Sequence, residues 1–351
     1  MSKIKVLAHV SNPNSGVYFH RIVNPLNYIL GEFDVKFIDL HNGMPLSDLE
    51  WADVLIISRA LDNEASVTKE WLDRYNVKLI VDIDDTPILP PYQFMYEYVK
   101  AQNAEKLYNS YLEIADQVWV TNQQLYDYVL NFNTKIEIIP NALPFGYGQY
   151  AEFENKTGKK SFTYIGNISH VNDMGLVKGA IKAINKQPIF QKNWAFRLLG
   201  IPQQTKDKLI RKTWDIAEDI FKGGKKNNSN YIPMPNKGIN EYMYSVGMGT
   251  VGIAPLIDDD FNRHKSNLKI LEYASKKMPC IISGVVSQMQ GNPPCIVATT
   301  PKEWEEAFMY YMKDESRIVE DGEKLNKWAK NNFDIKQTNY KRIKSINKLF
   351  V

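Results

Sequence analysis

The sequence predicts an α/β protein made of two doubly wound domains, each with a mainly parallel sheet covered by helices. Short, nearly continuous apolar runs alternate with stretches of helical periodicity, which is typical of buried parallel strands joined by helices. The alternation stops at a polar stretch in the middle of the chain and then starts again. The length of 351 residues also exceeds what one hydrophobic core usually holds.

The first series begins with an apolar run at residues 3–10 that ends in the turn cluster Ser-Asn-Pro-Asn-Ser-Gly, which indicates a strand followed by a loop. Residues 17–30 then have helical apolar spacing, in which Pro25 predicts a kink. The other elements of this series are strands at 35–40, 54–58, 78–83, 118–121 and 136–139, and helices at 66–75 and 103–115.

The second series follows a polar stretch at residues 151–160, which we interpret as a linker between domains. Its elements are strands at 161–165, 195–199, 250–254, 280–283 and 295–298, a helix from about 173 to 185, and an exposed polar loop at 222–230. Beyond Asp334 the tail has five basic residues and no acidic one, at a spacing that fits a helix. The predicted domains are therefore 1–150 and 151–333, followed by a terminal helix at 334–351.

Composition excludes several classes of protein. An apolar fraction of 44% and an aromatic fraction of 12% exclude a disordered chain, while the net charge of +3 neither requires nor excludes a nucleic-acid partner. Cys280 and Cys295 lie in apolar surroundings without the spacing of metal ligands, so we expect reduced thiols and a cytoplasmic protein. No apolar run approaches the roughly 18 residues of a transmembrane helix.

The most informative segment follows the third strand of the second series, where an acidic loop precedes a helix predicted to open near Ser266. Lys265 and Lys269 are four residues apart and would share one face of that helix, with Arg263 in the preceding loop. Backbone N–H groups at a helix start, together with the helix dipole, favour a diphosphate. Glu272 is suited to accept hydrogen bonds from ribose hydroxyls. A basic helix start is more often a solvated surface, but the nearby acid and the position in the domain favour a nucleotide site.

This segment, residues 255–274, resembles the donor-binding helix of the retaining GT-B glycosyltransferases, whose common form is F-N-x-x-K-S-N-L-K-x-L-E-Y-A. The matching residues are Phe261, Asn262, Lys265, Ser266, Asn267, Leu268, Lys269, Leu271, Glu272, Tyr273 and Ala274. Many relatives have two glutamates eight residues apart, of which Glu272 matches the second while His264 stands in place of the first. The resemblance implies two Rossmann-like domains facing across a cleft. The basic cluster and the resemblance together give the donor-binding residues Arg263, Lys265, Ser266, Asn267, Leu268, Lys269 and Glu272.

Three other parts of the chain agree with this resemblance. Residues 164–173 resemble the glycine turn that opens the C-terminal domain, and residues 15–21 resemble the first glycine loop, which approaches donor and acceptor. Residues 118–122 and 138–142 resemble the last strands of the N-terminal domain and the crossover, and the basic terminal helix is expected to pack back on that domain. The residues implied are Gly16, Gly166 and Asn167 for the donor, Tyr18, His20 and Arg21 for the acceptor, and His170 for a hydrogen-bonding role in catalysis.

An acidic cluster, Val-Asp-Ile-Asp-Asp at residues 81–85, ends one predicted strand and leaves three interpretations open. Asp85 or Thr86 is suited to cap a turn before the prolines that follow. Alternatively, Asp84 or Asp85 positions the acceptor hydroxyl or acts as a base in catalysis. Clustered carboxylates also suit a divalent metal, but a D-x-D pattern alone is weak, and we predict no metal site.

The sequence therefore predicts a glycosyltransferase that moves a sugar from a nucleotide-diphosphate sugar to a hydroxyl acceptor. The resemblance implies retention of anomeric configuration, no tightly bound cofactor and, as co-substrate, a UDP-sugar, although the residues do not identify the base. A saccharide, a glycolipid or another small molecule is the first hypothesis for the acceptor. Hydroxymethylated bases of viral DNA are the alternative, since the basic loop and tail fit a DNA partner and such an enzyme exposes its target base. A third hypothesis, a non-catalytic nucleotide-binding homologue, rests on His264 alone.

Overall fold

A computed structural model of the chain describes residues 3–40, 43–152 and 158–351. Their contacts divide the chain into two compact units. The first unit contains Met1–Ala142, His264–Ser266 and Phe333–Val351, and the second contains Leu143–Arg263 and Asn267–Asn332. The predicted linker at 151–160 falls partly outside the described residues.

The first unit is built on a six-stranded parallel sheet. Its strands are β1 (Lys5–His9), β2 (Asp34–Ile38), β3 (Val54–Ser58), β4 (Lys78–Ile83), β5 (Gln117–Val120) and β6 (Ile136–Ile138). They lie in the order β2-β1-β3-β4-β5-β6, and every neighbouring pair is parallel. All the carboxyl ends therefore lie at one edge of the sheet, which is where doubly wound folds bind their ligands.

Successive side chains of this sheet alternate between two apolar cores on its opposite faces. In β3, Val54 and Ile56 pack in one core, whereas Leu55 and Ile57 pack in the other. Burial on both faces explains why these strands read as unbroken apolar runs. The helices that precede the C-terminal segment are Gly16–Tyr18, Asn24–Asn27, Leu46–Trp51, Ala65–Tyr75, Tyr96–Ala101, Ala104–Ile114 and Gln123–Val129, with a π-helical turn at Phe19–Val23.

The last helix, Ile335–Lys348, also belongs to the first unit. Ile346 is fully buried in the core that contains residues of β1 and β3. Trp119 donates from Nε1 to Ser345 Oγ at 2.7 Å, and Asn339 donates from Nδ2 to the carbonyl of Pro25 at 2.9 Å. These contacts attach the helix to β5 and to the kinked segment around Pro25.

The second unit has a six-stranded parallel sheet of its own. Its strands are β7 (Lys160–Ile165), β8 (Trp194–Ile201), β9 (Tyr231–Pro235), β10 (Val251–Ala254), β11 (Cys280–Ile282) and β12 (Ile296–Val297), in the order β12-β11-β10-β7-β8-β9. Its α-helices are Val171–Met174, Lys178–Ile184, Pro188–Asn193, Lys208–Phe221, Tyr242–Gly247, Asp260–Arg263, Leu268–Ser275, Pro301–Lys313 and Ser316–Phe333, and short 3₁₀ turns lie at Gly148–Tyr150, Ile168–His170 and Gly175–Val177. Across the described chain, every helix is too short or too polar to cross a bilayer.

The predicted fold class is confirmed, since both units are parallel α/β sheets with surrounding helices. The strand prediction missed β9, because Pro233 and Pro235 interrupt its apolar pattern. Proline removes a backbone donor and is tolerated here because β9 is an edge strand. The helix predicted from about 173 to 185 is instead three short helical pieces that meet at Gly175 and Lys178.

A packing contact inside the second unit gives a stability prediction. A β-carbon on Gly252 would lie 2.4 Å from the ring of Tyr273, whose hydroxyl bonds to three backbone groups and so cannot move aside. Gly252→Ala is expected to lower the free energy of unfolding by about 1–3 kcal/mol, measured by urea denaturation. Gly31→Ala is the control, because its new methyl group meets no atom within 4 Å. Equal stability of the two variants would contradict the prediction.

Candidate active site

At the carboxyl edge of the second sheet, a glycine turn lies against a lysine. Gly166 directly follows β7, and a β-carbon on it would lie 2.7 Å from Tyr164 Oη and 3.0 Å from Lys269 Nζ. Lys269 Nζ donates to the same Tyr164 hydroxyl at 3.0 Å and lies 4.7 Å from the centre of its ring. Because glycine has no β-carbon, the backbone approaches the ammonium without obstruction. Close backbone and a cation together suit a bound anion.

A buried carboxylate lies one helical turn beyond this lysine. Glu272 is 6% exposed and accepts a hydrogen bond from the Tyr242 hydroxyl at 2.5 Å. Burial raises the pKa of Glu272 to about 7, although the Tyr242 hydrogen bond and the Lys269 charge oppose this rise. Glu272 is therefore a shielded acceptor for hydroxyl groups, and its own carboxyl ionises near neutral pH.

The histidine that follows the glycine turn is held by an aspartate. His170 Nδ1 lies 2.7 Å from Asp173 Oδ2, and the other oxygen of Asp173 accepts from the Ile257 N–H at 2.9 Å and from Asn262 Nδ2 at 3.2 Å. Burial favours a raised pKa for Asp173, but the hydrogen bond and charge of His170 and the Ile257 N–H lower it overall. The ionised carboxylate fixes the orientation of the His170 ring.

The helix that the sequence predicts to bind the donor begins later than its pattern indicates. Its first residue is Leu268, with the buried Asn267 before it, so Lys265 precedes the helix and shares no helical face with Lys269. Lys269 belongs to the second unit, whereas Lys265 belongs to the first, where it pairs with Asp85.

Arg263, the third predicted cation, is on the surface of the second unit. It donates from Nε to Asp258 at 2.7 Å, and this hydrogen bond lowers the pKa of the Asp258 carboxyl. About half of the Arg263 side chain is exposed, so the pair is a solvated one of the kind that contributes little to stability. Asn167 is also exposed, in the turn that begins at Gly166.

In the first unit, one carboxylate of the acidic cluster forms a fully buried ion pair. Arg21 donates from Nε and Nη2 to the two oxygens of Asp82, both at 2.8 Å, and the two side chains are 1% and 0% exposed. Arg21 Nη1 donates further to the Ile139 carbonyl at 2.9 Å and to Asn141 Oδ1 at 3.1 Å. Burial raises the pKa of Asp82, and Arg21 opposes the rise. These bonds direct Arg21, a predicted acceptor residue, into the interior of the unit.

Two adjacent carboxylates at the end of β4 have different partners. Asp84 Oδ1 accepts from Arg59 Nε at 3.2 Å and Nη2 at 2.9 Å, and Asp85 Oδ2 accepts from Lys265 Nζ at 3.1 Å. Burial favours a raised pKa for Asp84, but Arg59 and the other nearby cations lower it overall. For Asp85, burial and the Asp84 charge raise the pKa. Asp85 Oδ1 is shielded from solvent and accepts no hydrogen bond within the described part of the chain. Carboxyl groups whose pKa values are pushed apart are typical of acid–base sites.

Two asparagines hold the segment that carries Lys265. Asn122 donates from Nδ2 to the carbonyls of His264 at 3.1 Å and of Lys265 at 2.5 Å, and Asn141 donates to Ser266 Oγ at 2.7 Å. All of these residues belong to the first unit. These bonds hold the chain on both sides of Lys265, whose ammonium lies beside Asp85.

The remaining predicted residues of the first unit lie after β1. Gly16 opens the first helical turn. The Tyr18 ring contacts His9 edge to face at 5.7 Å between centroids, and its hydroxyl lies 3.4 Å from His9 Nε2. His20 is 4% exposed, and burial lowers its pKa to about 4, so it is neutral at pH 7.

Sequence reasoning missed Arg59, Tyr242 and Asn122. Arg59 directly follows β3 and has a φ of 70°, which is strained for a residue with a side chain. Its place at the carboxyl edge of the sheet was the available signal. Tyr242 is 30 residues before Glu272, and no local pattern connects the two.

A basic concavity lies at the opposite, amino edge of the second sheet. It has a volume of about 470 Å³ and is lined by Gly158, Lys159, Lys160, Lys192, Asn193, Met248 and Thr250. Lys160 already pairs with Glu315 at 2.6 Å. Because ligands of doubly wound sheets bind at the carboxyl edge, we place the candidate site at Gly166 and Lys269 instead.

Comparison with solved structures identifies the fold. Sucrose-phosphate synthase from Thermosynechococcus elongatus is 12% identical, with a TM-score of 0.71 and 99% of each chain covered. Anabaena HepE in complex with UDP-glucose is 11% identical, with a TM-score of 0.70 over 98% of this chain and all of that one. The chain has the GT-B fold.

A third similar structure agrees with the first two. The UDP-forming α,α-trehalose-phosphate synthase from Burkholderia xenovorans is 9% identical, with a TM-score of 0.68 and both chains fully covered. No protein-family model matches the sequence, and no curated protein sequence matches it. The likeness is therefore one of fold.

Proposed function

We propose that this chain transfers a sugar from a UDP-sugar to a hydroxyl acceptor. The observation that carries the proposal is the Lys269 ammonium beside the Gly166 turn, one helical turn before the buried carboxyl of Glu272. The first pair suits a diphosphate, and the carboxylate suits ribose hydroxyls. The solved complex of HepE with UDP-glucose, which has the same fold, supports a UDP-sugar as donor.

In this proposal the second unit binds the donor. Negative charge develops on the leaving diphosphate as the bond to the sugar breaks, and Lys269 neutralises it together with backbone N–H groups after Gly166 and at the helix start. Glu272 holds the ribose. His170, oriented by Asp173, donates a hydrogen bond to the transferred sugar. The motif resemblance around Lys269 supports retention of anomeric configuration.

The first unit, in the same proposal, binds the acceptor at the carboxyl edge of its sheet. Asp85 accepts a hydrogen bond from the attacking hydroxyl, and its raised pKa suits a group that takes up a proton. Lys265 holds Oδ2 of Asp85, and Arg59 holds Asp84. In this proposal, Lys265 therefore orients Asp85 for the acceptor and does not bind the donor diphosphate.

The charge balance of this edge favours a neutral acceptor such as a saccharide. Arg21 pairs with Asp82, Arg59 with Asp84, and Lys265 with Asp85. DNA binding depends on cations that neutralise phosphates, and these three are already matched by carboxylates. Binding to duplex DNA that falls steeply with salt would instead favour the DNA alternative.

A thermal-shift screen against UDP, UDP-glucose, GDP, GDP-mannose and ADP tests the donor class. A ligand at 100 times its Kd stabilises the folded state by about 2.7 kcal/mol, so uridine nucleotides are expected to raise the melting temperature by several degrees. The same screen with Lys269→Met is expected to give a much smaller shift with UDP. Absence of a shift with every nucleotide would contradict the proposal.

A further inference from the structure

Tyr242 lies outside the segment 255–274 but contacts the carboxylate of Glu272, which lies inside it. Tyr242 is the first residue of the helix Tyr242–Gly247, and its hydroxyl donates to Glu272 Oε1 at 2.5 Å. This short bond determines which way the carboxylate faces. Lys269, one turn earlier, and the adjacent Tyr273 also act on Glu272.

The backbone on both sides of Tyr242 is held by one side chain. Gln149 accepts from the Met243 N–H at 3.3 Å through Oε1, and it donates from Nε2 to the Ile239 carbonyl at 2.8 Å. Gln149 is 7% exposed, so water competes little for these two bonds. The amide therefore fixes the position from which Tyr242 reaches Glu272.

A buried lysine, Lys276, connects Gln149 back to the helix that carries Glu272. Lys276 donates from Nζ to the carbonyls of Gln149 and Ala151, both at 2.6 Å, and is only 4% exposed. It follows Glu272 by four residues, one turn further along the chain. The contacts therefore form a closed network, in which Glu272 contacts Tyr242, Gln149 holds Tyr242, and Lys276 connects Gln149 to the end of the Glu272 helix.

We propose that Tyr242 is a positioning residue for donor binding, which orients the Glu272 carboxylate toward the ribose and is itself held by Gln149 and Lys276. This inference rests on the proposed binding of a uridine nucleotide by Glu272. A hydrogen bond donated to a carboxylate favours its charged form, so Tyr242 also keeps Glu272 ionised. The further titratable groups are Tyr150, which lies next to the Tyr242 hydroxyl, and Lys276, whose pKa burial lowers to about 8.

The sign of the pH dependence follows from these contacts. The pKa of Glu272 is about 7, so UDP binding weakens as pH falls through 7 and the carboxylate is protonated. Loss of the Tyr242 hydroxyl removes a contact that lowers this pKa, so the pKa rises further. Binding by Tyr242→Phe is therefore lost at a higher pH than binding by the wild type.

Isothermal titration of UDP from pH 6 to pH 9 tests the inference. Tyr242→Phe is expected to weaken binding about tenfold at pH 7 and to move the midpoint of the pH profile upward, with a smaller deficit at pH 9. Ionisation of the UDP phosphate near pH 6 affects all variants equally. Gln149→Met keeps the hydroxyl but frees the Tyr242 backbone, and it is expected to move the midpoint in the same direction.

Two further variants separate the possible failures. Tyr98→Phe, which removes a hydroxyl from a 62% exposed side chain, is expected to match the wild type. Glu272→Gln is expected to bind weakly with a flattened profile, and wild-type binding by this variant would overturn the proposed function itself. If Glu272→Gln binds weakly while Tyr242→Phe and Gln149→Met keep the wild-type affinity and midpoint, the positioning role is overturned.

Discussion

Replacement of Arg21 by alanine is expected to lower the free energy of unfolding by about 3–5 kcal/mol. The substitution leaves the Asp82 carboxylate buried without its bidentate partner, and Asp82 is 0% exposed. It also removes the donors to the Ile139 carbonyl and to Asn141. Urea denaturation monitored by circular dichroism measures this change.

Two controls isolate the buried charge in this experiment. Lys69→Ala removes one partner of a surface pair with Asp73 and is expected to change stability by less than about 1 kcal/mol. The double variant Arg21→Met with Asp82→Leu removes both members of the pair and is expected to recover part of the loss, because neither charge is left without the other. An Arg21→Ala protein as stable as the Lys69→Ala protein would show that the pair is not structurally important.

The Lys269→Met variant is expected to bind UDP at least about thirtyfold more weakly, because truncation of one partner of a buried charge pair costs about 2 kcal/mol or more. Lys269 is the cation nearest the Gly166 turn, and methionine keeps the length of its aliphatic chain while removing the charge. Isothermal titration at pH 8, where Glu272 is mostly ionised, gives the affinities.

Uridine and a distant lysine provide the matched controls. Uridine has no phosphate, so Lys269→Met is expected to bind it as the wild type does, whereas Glu272→Gln weakens binding of both uridine and UDP. Lys302→Met changes an 85% exposed side chain and is expected to leave both affinities unchanged. Equal weakening of uridine and UDP by Lys269→Met would mean that the lysine supports the fold rather than a diphosphate.

The fold was predictable because both faces of each sheet are buried. Strands such as β3 and β4 therefore appear as apolar runs, and their predicted bounds match the structure. The edge strand β9 was not predicted, because Pro233 and Pro235 interrupt its apolar pattern. An edge strand tolerates proline, since one of its sides has no neighbouring strand to which a backbone N–H must donate. Apolar runs thus identify strands whose pattern no proline interrupts, including the edge strands β2, β6 and β12.

The candidate site was predictable only where its residues are close in sequence. Lys269 and Glu272 are separated by one helical turn, so one motif includes both. Arg59 meets Asp84 across 25 residues and Lys265 meets Asp85 across 180, and no spacing rule relates such distant positions. The predicted pairing of Lys265 with Lys269 on one helical face depended on a helix start near Ser266. The helix begins at Leu268, so Lys265 precedes it.

A crystal structure with UDP tests the central claim most directly. We predict density for the diphosphate within hydrogen-bond distance of Lys269 Nζ and the backbone after Gly166, with the ribose hydroxyls on Glu272. UDP in the basic concavity around Lys159, Lys160 and Lys192, with the Lys269 site empty, would contradict the account.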